Sequence, residues 1–304
     1  MFPIITVEKD KAEAIEFLGT KYKFWYRHKD ELYLFKAEER GTGEDWAEKV
    51  CCELAELLGL PHVRYDMAKL GEDGLPGTVC RTFAPEPLNL VHGNEMLFKA
   101  DSSYPLEPEK NYQVREHTLD AVFNVMESLE MPPRQWCKRL PEQVLSAAGV
   151  YAGYLMLDAW VANQDRHHQN WGAIRHGEKL MLAPSFDHGA ALARNLSDAE
   201  RSERLQTRDK NRQIPHFVRR ARSALYFRTS ATRPMSTLKA WEEWARRVPS
   251  ARQAWVRRIS GISAEEMKNI LGRVEKSRMS DVCQEFTLKL LVQNRKRILE
   301  LEES

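Results

Sequence analysis

Asn163-Gln164-Asp165-Arg166-His167-His168-Gln169-Asn170 and, seventeen residues beyond it, Asp187-His188-Gly189 are the two most informative motifs of this chain. The first is a dense polar cluster placed directly behind an apolar run, Val150 to Val161, that carries a single charge, Asp158. Polar groups in that position have to face something polar, because burying them without partners costs free energy. Between the two motifs, Trp171-Gly172-Ala173-Ile174 and Leu180-Met181-Leu182 read as strands hinged at His176-Gly177. A carboxylate, an amide and a second carboxylate thus arrive in the order Asp-x-x-x-x-Asn, hairpin, Asp-x-Gly. Phosphoryl transfer from a nucleotide needs those three groups: one carboxylate beside the acceptor hydroxyl, and an amide oxygen with a second carboxylate to hold magnesium on the phosphates.

The same chemistry asks for a lysine on an upstream strand and a glutamate on the helix after it. Lys36 closes the apolar run Leu32-Tyr33-Leu34-Phe35, which pairs with Phe24-Trp25-Tyr26 across the turn His28-Lys29-Asp30. From Asp45 onward, Ala47, Val50, Cys51, Leu54, Ala55 and Leu58 recur at helical spacing until Gly59 and Pro61 stop the helix, and Glu48 lies on it. Val63 to Ala68 and Gly77 to Phe83 then read as a strand pair around Gly71-Glu72-Asp73-Gly74. Beyond Pro85 and Pro87 the pattern turns helical, over Val114 to Leu129, Pro141 to Val161, and from Lys239 to the end, with a capping box at Ser263-Ala264-Glu265-Glu266. This order of parts predicts an α+β, bilobal kinase-like fold: a small sheet-rich lobe over residues 1–86 and a helical lobe over 87–304.

Composition narrows the class further. The chain has 304 residues, 42% apolar and 30% charged, with a net charge of +2, which excludes disorder and a collagen-like fold. Its longest apolar-leaning stretch, Ala147 to Ala162, is too short to span a bilayer, so a transporter or receptor is not expected. Met1-Phe2-Pro3-Ile4-Ile5 lacks a basic region and a small-residue cleavage site, so a cytoplasmic location is expected. Five cysteines without a C-x-x-C pair read as reduced, mostly buried thiols.

Asn163-x-Asp165-Arg166-His167-x-x-Asn170, together with Leu182-Ala183-Pro184-Ser185-Phe186-Asp187, resembles the signature of HipA-type serine/threonine kinases, toxins of bacterial toxin–antitoxin pairs. In that family the Arg and His follow the catalytic aspartate. The helix Glu48 to Leu60 is also similar, and the resemblance spans roughly residues 15 to 195. It implies ATP and Mg²⁺ as cofactors, Asp165 as catalytic base, Asn170 and Asp187 as metal ligands, and Lys36 as the phosphate-binding lysine with Glu48 as its partner. The family's phosphate-covering loop reads Gly-x-Gln-x-Lys; here Gly19-Thr20-Lys21-Tyr22-Lys23 has lysine in place of the glutamine, with Gly19 and Lys23 as the binding positions. The chain starts almost at the small lobe, so it resembles the compact members without an extra N-terminal domain. A protein substrate, such as an aminoacyl-tRNA synthetase or another translation factor, and an antitoxin partner are implied as well.

Other readings of these residues exist. The same core could act on a lipid or small-molecule hydroxyl, or serve as a non-catalytic binding module; intact Lys36, Asp165, Asn170 and Asp187 speak against the latter. His167 and His168 beside Asp165 could ligate zinc or manganese in a hydrolase, although adjacent residues seldom aim at one metal. His167 reads as a brace for the loop and His168 as an exposed position. Gly41-Thr42-Gly43 comes after the lysine strand and reads as a connector. Trp241, Trp244 and Trp255 read as core. Residues 201–258 hold sixteen Arg or Lys against four acids, which marks either a docking surface for an acidic partner or a solvated helical face; direct nucleic-acid binding is not expected.

Overall fold

The structure, a computed structural model, describes residues 1–15, 22–38, 41–72, 74–106 and 113–301. Its first part is a six-stranded sheet. The strands β1 (Ile4–Val7), β2 (Ala14–Ile15), β3 (Lys23–His28) and β4 (Glu31–Ala37) are followed by helix α1 (Glu44–Leu58), then by β5 (Tyr65–Leu70) and β6 (Pro76–Arg81). Their order across the sheet is β1-β5-β6-β4-β3-β2, with β1 parallel to β5 and the other pairs antiparallel. Lys29 and Asp30 both take positive φ, 52° and 63°, the twist that a two-residue hairpin between right-handed strands requires. The edge strands β1 and β2 are additions to the expected pattern. With four and two residues, they are too short to show alternation in sequence.

α1 carries the apolar stripe expected from its spacing: Trp46, Ala47, Val50, Cys51, Leu54, Ala55 and Leu58 are all buried. It begins and ends at glycines in left-handed conformation, Gly43 and Gly59. At Gly59 the requirement is double, because a Cβ there would stand 2.5 Å from the carbonyl oxygen of Arg139. Its apolar face joins the core of the helical half: Val50, Leu54, Ala55 and Leu58 belong to one cluster with Tyr151, Leu155 and Trp255.

That half comprises β7 (Asn89–His92), α2 (Gly93–Ala100), α3 (Leu119–Ser128), α4 (Ala147–Val161), β8 (Gly172–His176), β9 (Lys179–Leu182), α5 (Asp198–Gln206), α6 (Ile214–Phe217), α7 (Thr237–Ala245), α8 (Pro249–Ser260), α9 (Ala264–Leu271) and α10 (Asp281–Glu300). Every residue of α4 is buried, as its nearly uniform apolarity requires. The tryptophans of α7 and α8 close over it: Trp244 Nε1 donates to Ala148 O at 2.9 Å and Trp255 Nε1 to Gly149 O at 2.8 Å. They are core residues, as expected. α3 and α4 start later than the apolar pattern does, at the side-chain caps Thr118 and Ser146, because an N-cap oxygen that satisfies a free amide sets the first turn. The expected hairpin is present as β8–β9, and β7 pairs with β8 to make a three-stranded sheet. Among the described residues no helix is long and apolar enough to cross a membrane. Cys51, Cys52, Cys80 and Cys283 are buried free thiols and Cys137 is half-buried.

Candidate active site

α4 ends by turning out of its axis at Ala162, whose φ is 54°, and the polar run 163–170 departs there. A buried ion pair underneath holds the run in place. Arg166 binds Asp158 of α4 through two nitrogens, Nε to Oδ2 and Nη2 to Oδ1, the latter at 2.8 Å, and Asn163 Nδ2 adds a bond to Asp158 Oδ1 at 2.9 Å. The same guanidinium donates to Asn170 O and to Ser185 Oγ, at 3.2 and 3.0 Å. From Ser185 the chain of contacts continues to His188 Nε2 at 2.8 Å, and the His188 amide donates to Glu48 Oε1 at 2.7 Å. One connected polar network therefore runs from α4 through the loop 163–170 to α1. Asp158, Arg166, His188 and Glu48 are each at most 4% exposed, so every member depends on its partners for solvation.

The candidate groups stand on this frame. Asn170 Nδ2 donates to Asp165 O at 2.7 Å, which ties the two ends of the loop and leaves the amide oxygen as its acceptor end. The Asp165 amide donates to Asn163 Oδ1, and its carboxylate stays 44% exposed with His167 Nε2 3.8 Å away. His167 is also the acceptor for the Gln169 amide, as a brace would be. Lys36, on β4, reaches Asp187 Oδ1 at 3.2 Å and lies over the Tyr65 ring at 5.2 Å. Burial works against its charge, yet the Asp187 carboxylate, with Tyr65 and Glu48 adding, holds the Lys36 ammonium well above its usual range. Asp187 itself sits at φ 60°, a region that Asp tolerates better than most residues.

Glu48 differs from the expectation in detail. The ion pair of Lys36 is with Asp187, and the Glu48 carboxylate is spent on the backbone of His188, one residue past Asp187; it acts on Lys36 through its field. Lys36, Glu48, Asp187 and Gly189 nevertheless line one small cleft. Of the phosphate-covering segment, Gly19 lies outside the described residues. Lys23 opens β3 directly opposite Lys36, so the two side chains share one face of the sheet. Beside them, Leu34, Cys80, Ile174 and Phe186, with Trp25, Phe83, Leu88 and Leu90 against them, form an apolar layer between the two sheets.

His168 departs from the expectation of an exposed position. It is fully buried, and its Nδ1 lies 2.7 Å from Tyr104 Oη, with the His167 ring turned 84° away, so the adjacent histidines do not converge on one metal. His117 joins it underneath, accepting from Trp171 Nε1 at 3.1 Å and donating from Nδ1 to Ala224 O at 3.0 Å. Burial pushes the His117 imidazole down to about 3 and those of His167 and His168 to about 4, with neighbouring imidazoles lowering them further. Each is neutral in the fold at pH 5, whereas the unfolded chain protonates its histidines below about 6.5. Their contribution to stability is complete above pH 6.5 and is lost as pH falls toward 4. The urea midpoint is expected to fall between pH 7 and pH 5; an unchanged midpoint would contradict these neutral rings.

The basic segment 201–258 is partly neutralised. Arg201, Arg212, Lys239, Arg246 and Arg247 pair with Asp198, Glu203, Glu242, Glu243 and Asp120. Arg219, Arg220 and Arg222 are exposed, and the Arg222 amide reaches Gln164 Oε1 at 3.4 Å, beside Asp165. Asp158, Ser185 and His188 are the positioning residues that sequence reasoning passed over. The lone charge of Asp158 inside an apolar helix was the available signal.

No protein-family model and no curated protein matches the sequence. Among solved structures, the chain is similar to the Helicobacter pylori proinflammatory kinase CtkA, with a TM-score of 0.68 and 18% identity, covering 98% of this chain and 97% of that one. It is also similar to a chain of the Shewanella oneidensis MR-1 toxin–antitoxin complex of HipA, HipB and operator DNA, with a TM-score of 0.58 and 10% identity, covering 95% of this chain and 68% of that one. The order of motifs along the sequence and the likeness in space agree: the chain has a HipA-like, bilobal kinase fold.

Proposed function

We propose that the chain is an ATP- and Mg²⁺-dependent serine/threonine protein kinase, with lobes over residues 1–86 and 87–304. The observation that carries this reading is the Lys36–Asp187 ion pair, which brings a strand lysine and the Asp-x-Gly carboxylate together across 151 positions, on the same polar frame that holds Asp165 and Asn170. Asp165 is the base that takes the proton of the acceptor hydroxyl. Lys36, with Lys23 on the same face, grips phosphate oxygens, Gly19 being the further position the sequence offers for this role, and Glu48 positions the turn at Asp187–His188. The apolar layer around Leu34, Phe83 and Ile174 is the side against which a purine ring would lie.

Magnesium fits the donors present, since a carboxylate and an amide oxygen are the hard ligands it takes, with water and phosphate completing six. Asp187 and Asn170 would hold it, and when bound it neutralises charge on the phosphates. Asp187→Ala is expected to abolish Mg²⁺-dependent ATP binding, because the phosphate charge then lacks its metal clamp and Lys36 lacks its partner. Calorimetry showing equal affinity for ATP·Mg in the variant would remove Asp187 from the site.

The kinase reading is tested by incubating the purified chain with γ-labelled ATP, Mg²⁺ and a bacterial lysate. Label on protein serine or threonine supports it; label only on lipid or small molecules would redirect it, and no transfer would leave a binding module. A growth-inhibiting role in the cytoplasm, a translation factor as target and an antitoxin partner are suggested by the fold's likeness to HipA, and slow growth on expression, relieved by Asp165→Asn, is their test. The exposed Arg222 lies beside the Asp165 loop, and with the exposed Arg219 and Arg220 it offers a cationic surface on which a protein substrate would dock.

A further inference from the structure

A cavity of about 600 Å³ opens where the segment after α1 meets the end of β6 and the stretch 135–139, and it shares no residue with the cleft of Lys36 and Asp187. Its size is that of a small-molecule site. Its wall is cationic: Arg64, Arg81, Lys138 and Arg139 face one carboxylate, Glu56. Arg139 already neutralises Glu56 at 2.6 Å, and Arg81 is paired with Glu31 at 2.8 Å. Arg64 stays 78% exposed and only 3.7 Å from Glu56, and Lys138 makes no ion pair among the described residues. Arg64 thus shares Glu56 with Arg139, and Lys138 is left without an ion pair among the described residues.

The wall also carries two polar atoms that are buried without a hydrogen-bond partner, Trp136 Nε1 and His62 Nε2. His62 is 4% exposed. Its Nδ1 lies 2.7 Å from Leu60 O, a pure acceptor, so Nδ1 carries the hydrogen, and Nε2, without a hydrogen bond, stands 3.8 Å from Glu56 Oε2. Buried polar groups are normally satisfied, and those that are not call for an occupant. A donor, an acceptor and the exposed cations Arg64 and Lys138 together match an anion that has both bare and protonated oxygens, which is a phosphate group. Arg257 and Arg258 of α8 extend the positive surface next to Lys138 and Arg139, where it would draw anions in.

The floor of the cavity is tied to the catalytic side. His62 is bridged in parallel to Ser185: the Val63 amide donates to Ser185 O and the Ser185 amide to Pro61 O, both at 2.9 Å. Phe83, in the wall, stacks on Phe186 with centroids 5.4 Å apart. Ser185 and Phe186 are the two residues before Asp187. We propose that this cavity is a second ligand site, which takes a small phosphate-bearing anion and transmits its occupancy to the segment that carries Asp187.

Pyrophosphate is the probe, titrated calorimetrically without Mg²⁺ into the full chain, into Lys36→Ala, which disables phosphate grip in the cleft, and into the double variant Arg64→Glu/Lys138→Glu. Both exchanged positions are exposed, and circular dichroism checks the fold. The wild type and Lys36→Ala are expected to bind alike, and the double variant to bind about tenfold more weakly or worse, as the loss of two charge-assisted contacts gives. In Lys36→Ala, pyrophosphate should also raise hydrogen-exchange protection at the Val63 and Ser185 amides several-fold. Binding lost in Lys36→Ala but kept in the double variant would place pyrophosphate in the cleft and overturn the proposal. Equal weak binding in all three would mean an adventitious ion only. Binding that leaves Val63 and Ser185 unchanged would overturn the transmission. Neither readout involves phosphoryl transfer, so the result is independent of the kinase reading.

Discussion

Asp165→Asn is expected to leave the fold and the affinity for ATP unchanged and to slow phosphoryl transfer by about 10²–10⁴-fold, the contribution of a positioned base. The substitution is nearly isosteric, and two contacts at this position, Asp165 N to Asn163 Oδ1 and Asn170 Nδ2 to Asp165 O, use main-chain atoms and survive it. The variant loses the ability to take a proton. At about 1.4 kcal/mol for each factor of ten, the barrier rises by about 3–5 kcal/mol. Single-turnover transfer measured at saturating ATP isolates the step, because it does not depend on nucleotide affinity. A rate within a factor of two of the wild type would assign the proton to another group.

Asp158→Ala should be the most destabilising single change in the site, at about 3–5 kcal/mol, because it leaves the Arg166 guanidinium buried without its carboxylate. Arg166 is 2% exposed, so water cannot take over. The loss should read as a lower urea midpoint with an unchanged slope. Replacing the pair together, Asp158→Leu with Arg166→Met, should recover much of that stability, since the uncompensated charge is removed with its partner. Activity should not recover: Arg166 also holds Asn170 O and Ser185 Oγ, and through them the geometry of both motifs. A double variant that is stable and fully active would show that the loop positions itself without the network.

Local pattern and motif order in the sequence were enough for α1, the β3–β4 and β8–β9 hairpins and the placing of Lys36 and Asp187 on one site. Each of these depends on spacing, on turn residues or on the parts that a given chemistry needs. The strands β1, β2 and β7 were not legible, since they are short and owe their existence to a neighbour far along the chain, as Ile4–Val7 owes its own to Tyr65–Leu70. The Asp158–Arg166–Ser185–His188–Glu48 network was hidden for the same reason, because its members are spread over 140 positions and acquire meaning only when folded. His168 was misjudged because a polar run looks solvated until Tyr104 and His117 are brought onto it from elsewhere.

α1 precedes the connector around residues 82–88 in sequence but packs with the helical half beyond it. Asp45 pairs with Arg278, Glu53 with Arg273 and Glu56 with Arg139, and the Phe2 amide donates to Arg273 O at 2.7 Å. The connector is therefore a boundary in the chain and not in its thermodynamics. A fragment cut there would expose the stripe of Val50, Leu54, Ala55 and Leu58 on one piece and its receptor around Tyr151 and Trp255 on the other, and neither piece would be a folding unit. α1 also packs on β5 and β6, and its Lys49 pairs with Asp66 of β5, so it ties the sheet to the helical half.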